Sequence, residues 1–139
     1  MDNTSFRLRR AESAQTFSLQ QGYVHLKELG QAARIEVGSE SWSTIGARPE
    51  LQAGRLLGAV KLEKDMPHWE MHPAGDELVL ALAGEFEIVL QDGRADHAVA
   101  LAAGHAFLVP FGMWHRVRVK SAGEILFVTP EKGSQYRPL

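Results

Sequence analysis

Hydrophobic residues occur along the chain in short runs, several of which alternate with polar residues. Residues 85–90 and 114–120 alternate in this way, as expected for strands that have one face in water. Residues 78–83 and 125–129 are almost continuously apolar, which is typical of buried strands, and we expect the first of these to end at Gly84. The pattern therefore predicts sheet structure.

Further short runs repeat this pattern from residue 23 onward. Residues 23–29, 34–37, 42–45 and 55–62 have strand-like composition and are separated by turn-forming glycine and proline residues. Asp92-Gly93 is a hairpin signal between two further runs. Many short strands at near-regular spacing predict an all-β antiparallel sandwich or barrel, and no long amphipathic helix competes with that interpretation.

The 139-residue length favours a single domain. We expect the polar residues 1–21 to form an N-terminal arm and residues 22–139 to form the folded unit, in which a polar tail follows the last strand at residues 125–129. The hydrophobic fraction of 45% and the charged fraction of 23% are ordinary for a globular protein.

Charge and cysteine content exclude several functional classes. A formal net charge of −2 argues against a dedicated nucleic-acid-binding protein. The absence of cysteine removes disulfides, thiolate nucleophiles and zinc fingers. Residues 1–21 contain no apolar core of a signal peptide, and no apolar run is long enough to cross a membrane. We therefore expect a cytoplasmic protein that has no membrane partner.

The candidate chemistry lies around residues 68–77. Side chains alternate along a strand, so Glu70 and His72 share one face while Trp69 points to the other. A turn at residues 73–76 returns the chain beside this strand, and Glu77 begins the next one. We expect Glu70, His72 and Glu77 to converge, and these side chains are of the kinds that bind divalent metal ions.

These residues also carry a family resemblance. The segment Glu70-x-His72-x4-Glu77-x6-Gly84 resembles the first motif of the cupin family. The segment Gly104-x5-Pro110-x-Gly112-x2-His115 resembles the second motif. The resemblance covers approximately residues 55–130, and the string at residues 69–77 is similar to that of a subgroup of small bacterial cupins.

The resemblance implies a cupin-type jelly-roll β-barrel, a metal site in its mouth and, frequently, a homodimer. His72, Glu77 and His115 match ligand positions of the family motifs. Glu70 replaces the first histidine of the family pattern. Lys64 and Val119 also depart from the pattern, standing where it has glycine and asparagine.

Independently of the family, two histidines and a carboxylate form a suitable ligand set for a divalent ion. We predict a Zn, Mn or Fe ion held by His72, Glu77 and His115, with Glu70 as a second carboxylate. His68 lies about 13 Å from His72 along an extended strand, at ~3.3 Å per residue. We therefore expect His68 to be a pocket or rim residue rather than a ligand.

Two tryptophans, Trp69 and Trp114, are further pocket candidates beside these ligands. The predicted function is binding or conversion of a small polar molecule at the metal, and isomerase, lyase and dioxygenase chemistries are all compatible with it. The alternatives are a non-catalytic small-molecule-binding protein and a structural cupin without metal. In a metal-free pocket, Glu70 and Glu77 would repel each other and share a proton.

Overall fold

The protein is described by a computed structural model that covers residues 15–39 and 42–139. These residues form a curled antiparallel sheet, which confirms the all-β prediction. The strands are β1 (Gly22–Leu26), β2 (Ala32–Glu36), β3 (Arg55–Leu62), β4 (His68–Met71), β5 (Glu77–Gln91), β6 (Asp96–Ala102), β7 (Ala106–Val109), β8 (Trp114–Thr129) and β9 (Gln135–Pro138). Most of the predicted arm, residues 1–14, lies outside the described residues, so the division at residue 21 remains a prediction.

Two long strands, β5 and β8, pair with each other along most of their length and form the spine of the sheet. β8 also pairs with β3, and β5 pairs with β6 and β7. The order β2-β1-β3-β8-β4-β9 completes the curled sheet. Because β5 and β8 pair with strands on both sides, their inward-facing side chains form the wall of the interior.

The expected end of a strand at Gly84 is wrong, because β5 continues through this residue to Gln91. The register of β5 against β8 shifts around Gly84, which has φ 84°. A Cβ at Gly84 would lie 2.6 Å from the carbonyl oxygen of Ser121, and one at Gly123 would lie 2.0 Å from that of Ala83. The two glycines thus allow both strands to bend closely past each other as a β-bulge.

Two buried hydrophobic clusters fill the interior. The larger lies between β5, β6, β7 and β8, and is formed by Val79, Ala81, Phe86, Ile88, Leu101, Val109, Val117 and Ile125. The second lies beneath β1, β2 and β3, and is formed by Tyr23, Ile35, Ile45, Leu51, Leu56 and Phe127. Alternation along each strand sends these residues inward, as the sequence pattern predicts.

The prediction of a strand at residues 42–45 is wrong. These residues belong to a one-turn helix, α1 (Trp42–Gly46), which is followed by a 3-10 helix at Pro49–Gln52. The Trp42 ring stacks on Tyr23 at 5.8 Å and meets the edge of Phe127 at 5.3 Å. Tertiary packing against the end of the sheet outweighs the strand propensity of this short run.

The residues expected to be a polar tail instead form β9, which pairs antiparallel with β4. The Arg137 guanidinium lies over the Trp114 ring at 4.4 Å and over the Trp69 ring at 5.8 Å. The C-terminal segment is thereby held against the strand that carries Glu70. Within residues 15–39 and 42–139, no helix is long and apolar enough to span a bilayer.

Candidate metal centre

Two turns and two strand ends bring the candidate ligands together. Glu70 on β4 pairs directly with His115 on β8. His72 follows β4, and its carbonyl accepts a hydrogen bond of 2.9 Å from the amide of Gly112. The neighbouring amide of Phe111 donates to the Asp76 carboxylate at 2.9 Å, so the turns before β5 and β8 are fixed to each other.

The structure brings together the four predicted ligands, Glu70, His72, Glu77 and His115. Each offers one ligand atom, and these atoms all lie within 4.8 Å of one another. Three of the residues are buried, and the side chain of Glu70 is 13% exposed. A cation at the centre would therefore be largely shielded from water.

The protonation of His115 follows from its contacts. Its Nδ1 lies 3.0 Å from the carbonyl oxygen of Met113, and a carbonyl only accepts, so Nδ1 carries a hydrogen. Its Nε2 lies 3.0 Å from Glu77 Oε1. The other oxygen of Glu77 accepts a hydrogen bond from the Thr129 hydroxyl, which orients this carboxylate.

His72 has one satisfied ring nitrogen and one unsatisfied ring nitrogen. Its Nδ1 lies 2.7 Å from Ser134 Oγ. Its Nε2 lies 3.3 Å from Glu77 Oε2 and 3.6 Å from Glu70 Oε2. Neither contact has the geometry of a hydrogen bond, so Nε2 is buried without a hydrogen-bond partner among the described residues. Most buried polar atoms have a hydrogen-bond partner, so a buried nitrogen without one favours a ligand at this position.

Opposite charges dominate the electrostatics of the cluster. Burial opposes the charged form of His72, but the neighbouring carboxylates of Glu70 and Glu77 outweigh it and raise the pKa of His72 to about 10. In the same way, burial opposes ionisation of Glu77, but His115 and His72 outweigh it and lower its pKa. The pKa of Glu70 is also lowered and that of His115 raised.

This arrangement fits a divalent metal ion. Two imidazole nitrogens and two carboxylates face one point, and the unpaired Nε2 of His72 is directed at that point. A divalent cation would neutralise both carboxylates and satisfy the nitrogen. Such a set suits Zn²⁺, Mn²⁺ or Fe²⁺ rather than ions that require thiolates.

A cavity that opens to solvent adjoins the cluster. Much of its wall is apolar and comes from the inward faces of the sheet, including Val60, Leu62, Val79, Val117, Ile125 and Phe127. Its polar lining comprises the four candidate ligands together with Thr129, Glu131 and Tyr136. No lysine or arginine among the described residues lines it.

The three predicted pocket residues, His68, Trp69 and Trp114, do not line this cavity. His68 lies at the outer side of the cluster, where its Nε2 is 3.2 Å from Glu70 Oε1. Trp69 and Trp114 each precede a candidate ligand, and strand alternation turns them to the opposite face. There they stack with Arg137.

Sequence analysis missed the contribution of the C-terminal segment. Glu131 is 4% exposed, and burial raises its pKa to about 7. The Tyr136 hydroxyl lies 3.5 Å from Glu131 Oε2, and burial, followed by the charge of Glu131, raises the pKa of Tyr136. Strand alternation with Phe127 could have indicated that Thr129 faces the interior. No pattern in the polar tail indicated that Glu131 is buried.

Comparison with known proteins identifies the class. Residues 60–129 match the family model for the cupin domain, and the chain therefore belongs to the cupin family. This confirms the resemblance in the two motifs and the cupin-type jelly-roll fold. A search of curated protein sequences gave no match.

Solved structures show the same similarity. A structure of oxalate decarboxylase from Bacillus subtilis, in a study of its Mn(II) centres, has 19% identity and a TM-score of 0.51, covering 61% of this chain and 24% of that one. A cupin-2 domain protein from Shewanella frigidimarina has 25% identity and a TM-score of 0.48, covering 55% and 70%. An oxalate oxidase structure has 17% identity and a TM-score of 0.48, covering 58% and 44%. This chain thus aligns with less than half of either oxalate enzyme, and the likeness to the decarboxylase concerns the fold alone.

Proposed function

We propose that this protein binds one divalent metal ion through Glu70, His72, Glu77 and His115, and that a small molecule binds in the cavity beside the ion. The observation that carries the proposal is the buried Nε2 of His72, which faces two carboxylates but has no hydrogen-bond partner in the described part of the chain. When bound, the ion supplies Lewis-acid or redox chemistry to an oxygen of the small molecule.

The cavity indicates which small molecules suit it. Its apolar wall favours a ligand with a hydrophobic part, and its polar end favours one oxygen-containing group near the cluster. The described lining contains three carboxylates and no lysine or arginine. Two carboxylates would balance a divalent ion, so no positive charge remains for a dianion such as oxalate, which is named for two of the similar structures. We propose an uncharged, partly apolar ligand.

Metal content tests the first half of this proposal. Purified protein is stripped with chelator, reloaded separately with Zn²⁺, Mn²⁺ and Fe²⁺, dialysed, and analysed for bound metal. We expect close to one ion per chain for the wild type and a large loss of binding for His72→Ala and His115→Ala. His97→Ala is the matched control, because this histidine is exposed and pairs only with Asp92 in the described contacts. Equal retention in all four proteins would contradict the ligand set.

Ligand screening tests the second half. Thermal-shift measurements on the metal-loaded protein compare neutral alcohols or ketones with carboxylates of matched size. We expect stabilisation by neutral, partly apolar compounds and little by oxalate. Stronger stabilisation by dicarboxylates would contradict the proposed ligand class. Product analysis on the same mixtures separates conversion of the ligand from binding alone.

The predicted homodimer remains a proposal, and the outer face of the sheet supports it. Leu57, Val128, Leu78 and Leu108 occupy adjacent register positions across β3, β8, β5 and β7. Leu108 is 61% exposed, and an apolar row of this kind on a sheet surface favours association. Light scattering coupled to size exclusion should give twice the chain mass, and Leu108→Glu should reduce it to one chain. A wild-type monomer would contradict the proposal.

A further inference from the structure

One side of the His72 ring contacts residues that neither cupin motif contains. Its Nδ1 lies 2.7 Å from the hydroxyl of Ser134, 62 positions further along the chain. Ser134 lies between β8 and β9, outside the residues 60–129 that match the family model. The contact therefore belongs to this chain's own C-terminal segment.

The direction of the hydrogen bonds follows from the partners of Ser134. Its side chain also lies near the carboxylate of Glu131 and lowers the pKa of that group, so the hydroxyl hydrogen faces an oxygen that accepts. A hydroxyl has one hydrogen, so Ser134, with that hydrogen turned toward Glu131, accepts from the Nδ1–H of His72. Nδ1 is then occupied by a hydrogen, and Nε2 is the nitrogen that faces Glu70 and Glu77.

Glu131 is held in place from several sides. The amide of Ser134 donates to the Glu131 carbonyl at 3.0 Å, and Tyr136 approaches its carboxylate. A Cβ at Gly46 would lie 2.9 Å from Glu131 Oε2. Glycine at this position of α1 therefore leaves room for the carboxylate. The pairing of β9 with β4 fixes the segment that carries these groups.

We propose that Ser134, oriented by Glu131, is a positioning residue that holds the His72 ring with Nε2 directed at the metal; this rests on the metal site proposed above. Histidines that bind metals generally donate their second N–H to an outer group, and loss of that group weakens metal binding by roughly 10- to 100-fold. The Ser134 hydroxyl, which lies 2.7 Å from His72 Nδ1 and beside Glu131, supplies such a group.

Two measurements test this positioning role. The first is the dissociation constant for Zn²⁺, from competition with a chelating dye, for wild type, Ser134→Ala, Ser134→Thr, Glu131→Leu and Glu131→Gln. The second is the NMR signal of the His72 Nδ1 proton in ¹⁵N-labelled, metal-free protein. Circular dichroism and thermal unfolding show whether each variant folds.

We expect Ser134→Ala to bind Zn²⁺ roughly 10- to 100-fold more weakly than wild type. Ser134→Thr should retain most of the affinity because it keeps the hydroxyl. Glu131→Leu should weaken binding, while Glu131→Gln should do so less because its amide oxygen still accepts. In metal-free wild type, the Nδ1 proton should be protected from exchange, and Ser134→Ala should remove that protection.

A folded Ser134→Ala variant with unchanged affinity and an unchanged Nδ1 proton signal would overturn the positioning role. Equal weakening by Ser134→Thr and Ser134→Ala would also overturn it, because the hydroxyl would then be irrelevant. Failure of the metal site itself gives a different result. Wild type would then bind no Zn²⁺, while loss of Nδ1 protection in metal-free Ser134→Ala would still support the contact.

Discussion

Metal binding should release protons, because the metal-free cluster holds its histidines in the charged form. A histidine must be neutral to ligate a metal. Glu70 and Glu77 raise the pKa of His72 to about 10 against the effect of burial. At pH 7, only about one His72 in a thousand is then neutral, from the difference of about three between pKa and pH. The metal therefore competes with a tightly held proton.

The difference between the pKa of His72 and the pH sets the size of this competition. Removing the proton at pH 7 weakens apparent metal affinity by roughly 10³-fold, or about 4 kcal/mol at ~1.36 kcal/mol per pH unit. Affinity should consequently rise about tenfold for each unit between pH 7 and pH 9 for this one proton. His115, whose pKa is also raised, adds to the slope wherever it is protonated.

Isothermal titration calorimetry measures the effect. Zn²⁺ is titrated into metal-free protein at pH 7 in buffers of different ionisation enthalpy, and the slope of observed enthalpy against that quantity gives the protons released. We expect at least one proton. His97→Gln should release the same number, because His97 is exposed and outside the cluster. Release of no proton, together with affinity that does not change with pH, would refute this account of His72.

Two further predictions concern stability. Gly84→Ala should destabilise the fold more than Gly93→Ala: both glycines have positive φ, but only at Gly84 would a Cβ meet backbone atoms. In urea unfolding, we expect Gly93→Ala to lower the free energy of unfolding by about 1–2 kcal/mol, from the backbone conformation alone. Gly84→Ala should lower it by more. Because burial raises the pKa of Glu131 from 4.5 to about 7, the folded protein binds more protons than the unfolded chain in that interval. Metal-free stability should therefore fall as pH rises through it, by up to about 3 kcal/mol, and Glu131→Gln should remove that slope. Equal losses at the two glycines, or an unchanged slope, would contradict these predictions.

Short-range patterns in the sequence predicted most of the strands and much of the candidate metal centre. Alternation placed Glu70 and His72 on one face, and the turn at residues 73–76 returned Glu77 beside them. His115 was predicted only from the spacing of the second cupin motif. The structure brings all four together, although their role as ligands is still a proposal.

Long-range packing explains what the sequence did not reveal. Gly84 looked like the end of a strand because its partner glycine in the bulge, Gly123, is distant in sequence. Trp42 lies in a helix because Tyr23 and Phe127 provide its packing surface. Glu131 looked like an ordinary residue of a polar tail, and its burial depends on the pairing of β9 with β4.

The most direct test of the metal centre is anomalous X-ray diffraction from crystals of protein loaded with Zn²⁺ or Mn²⁺. We predict one strong anomalous peak per chain, bonded to His72 Nε2, His115 Nε2 and at least one carboxylate oxygen of Glu70 or Glu77. No peak among these side chains in crystals grown with saturating metal, or a peak only at another position, would contradict the proposed site.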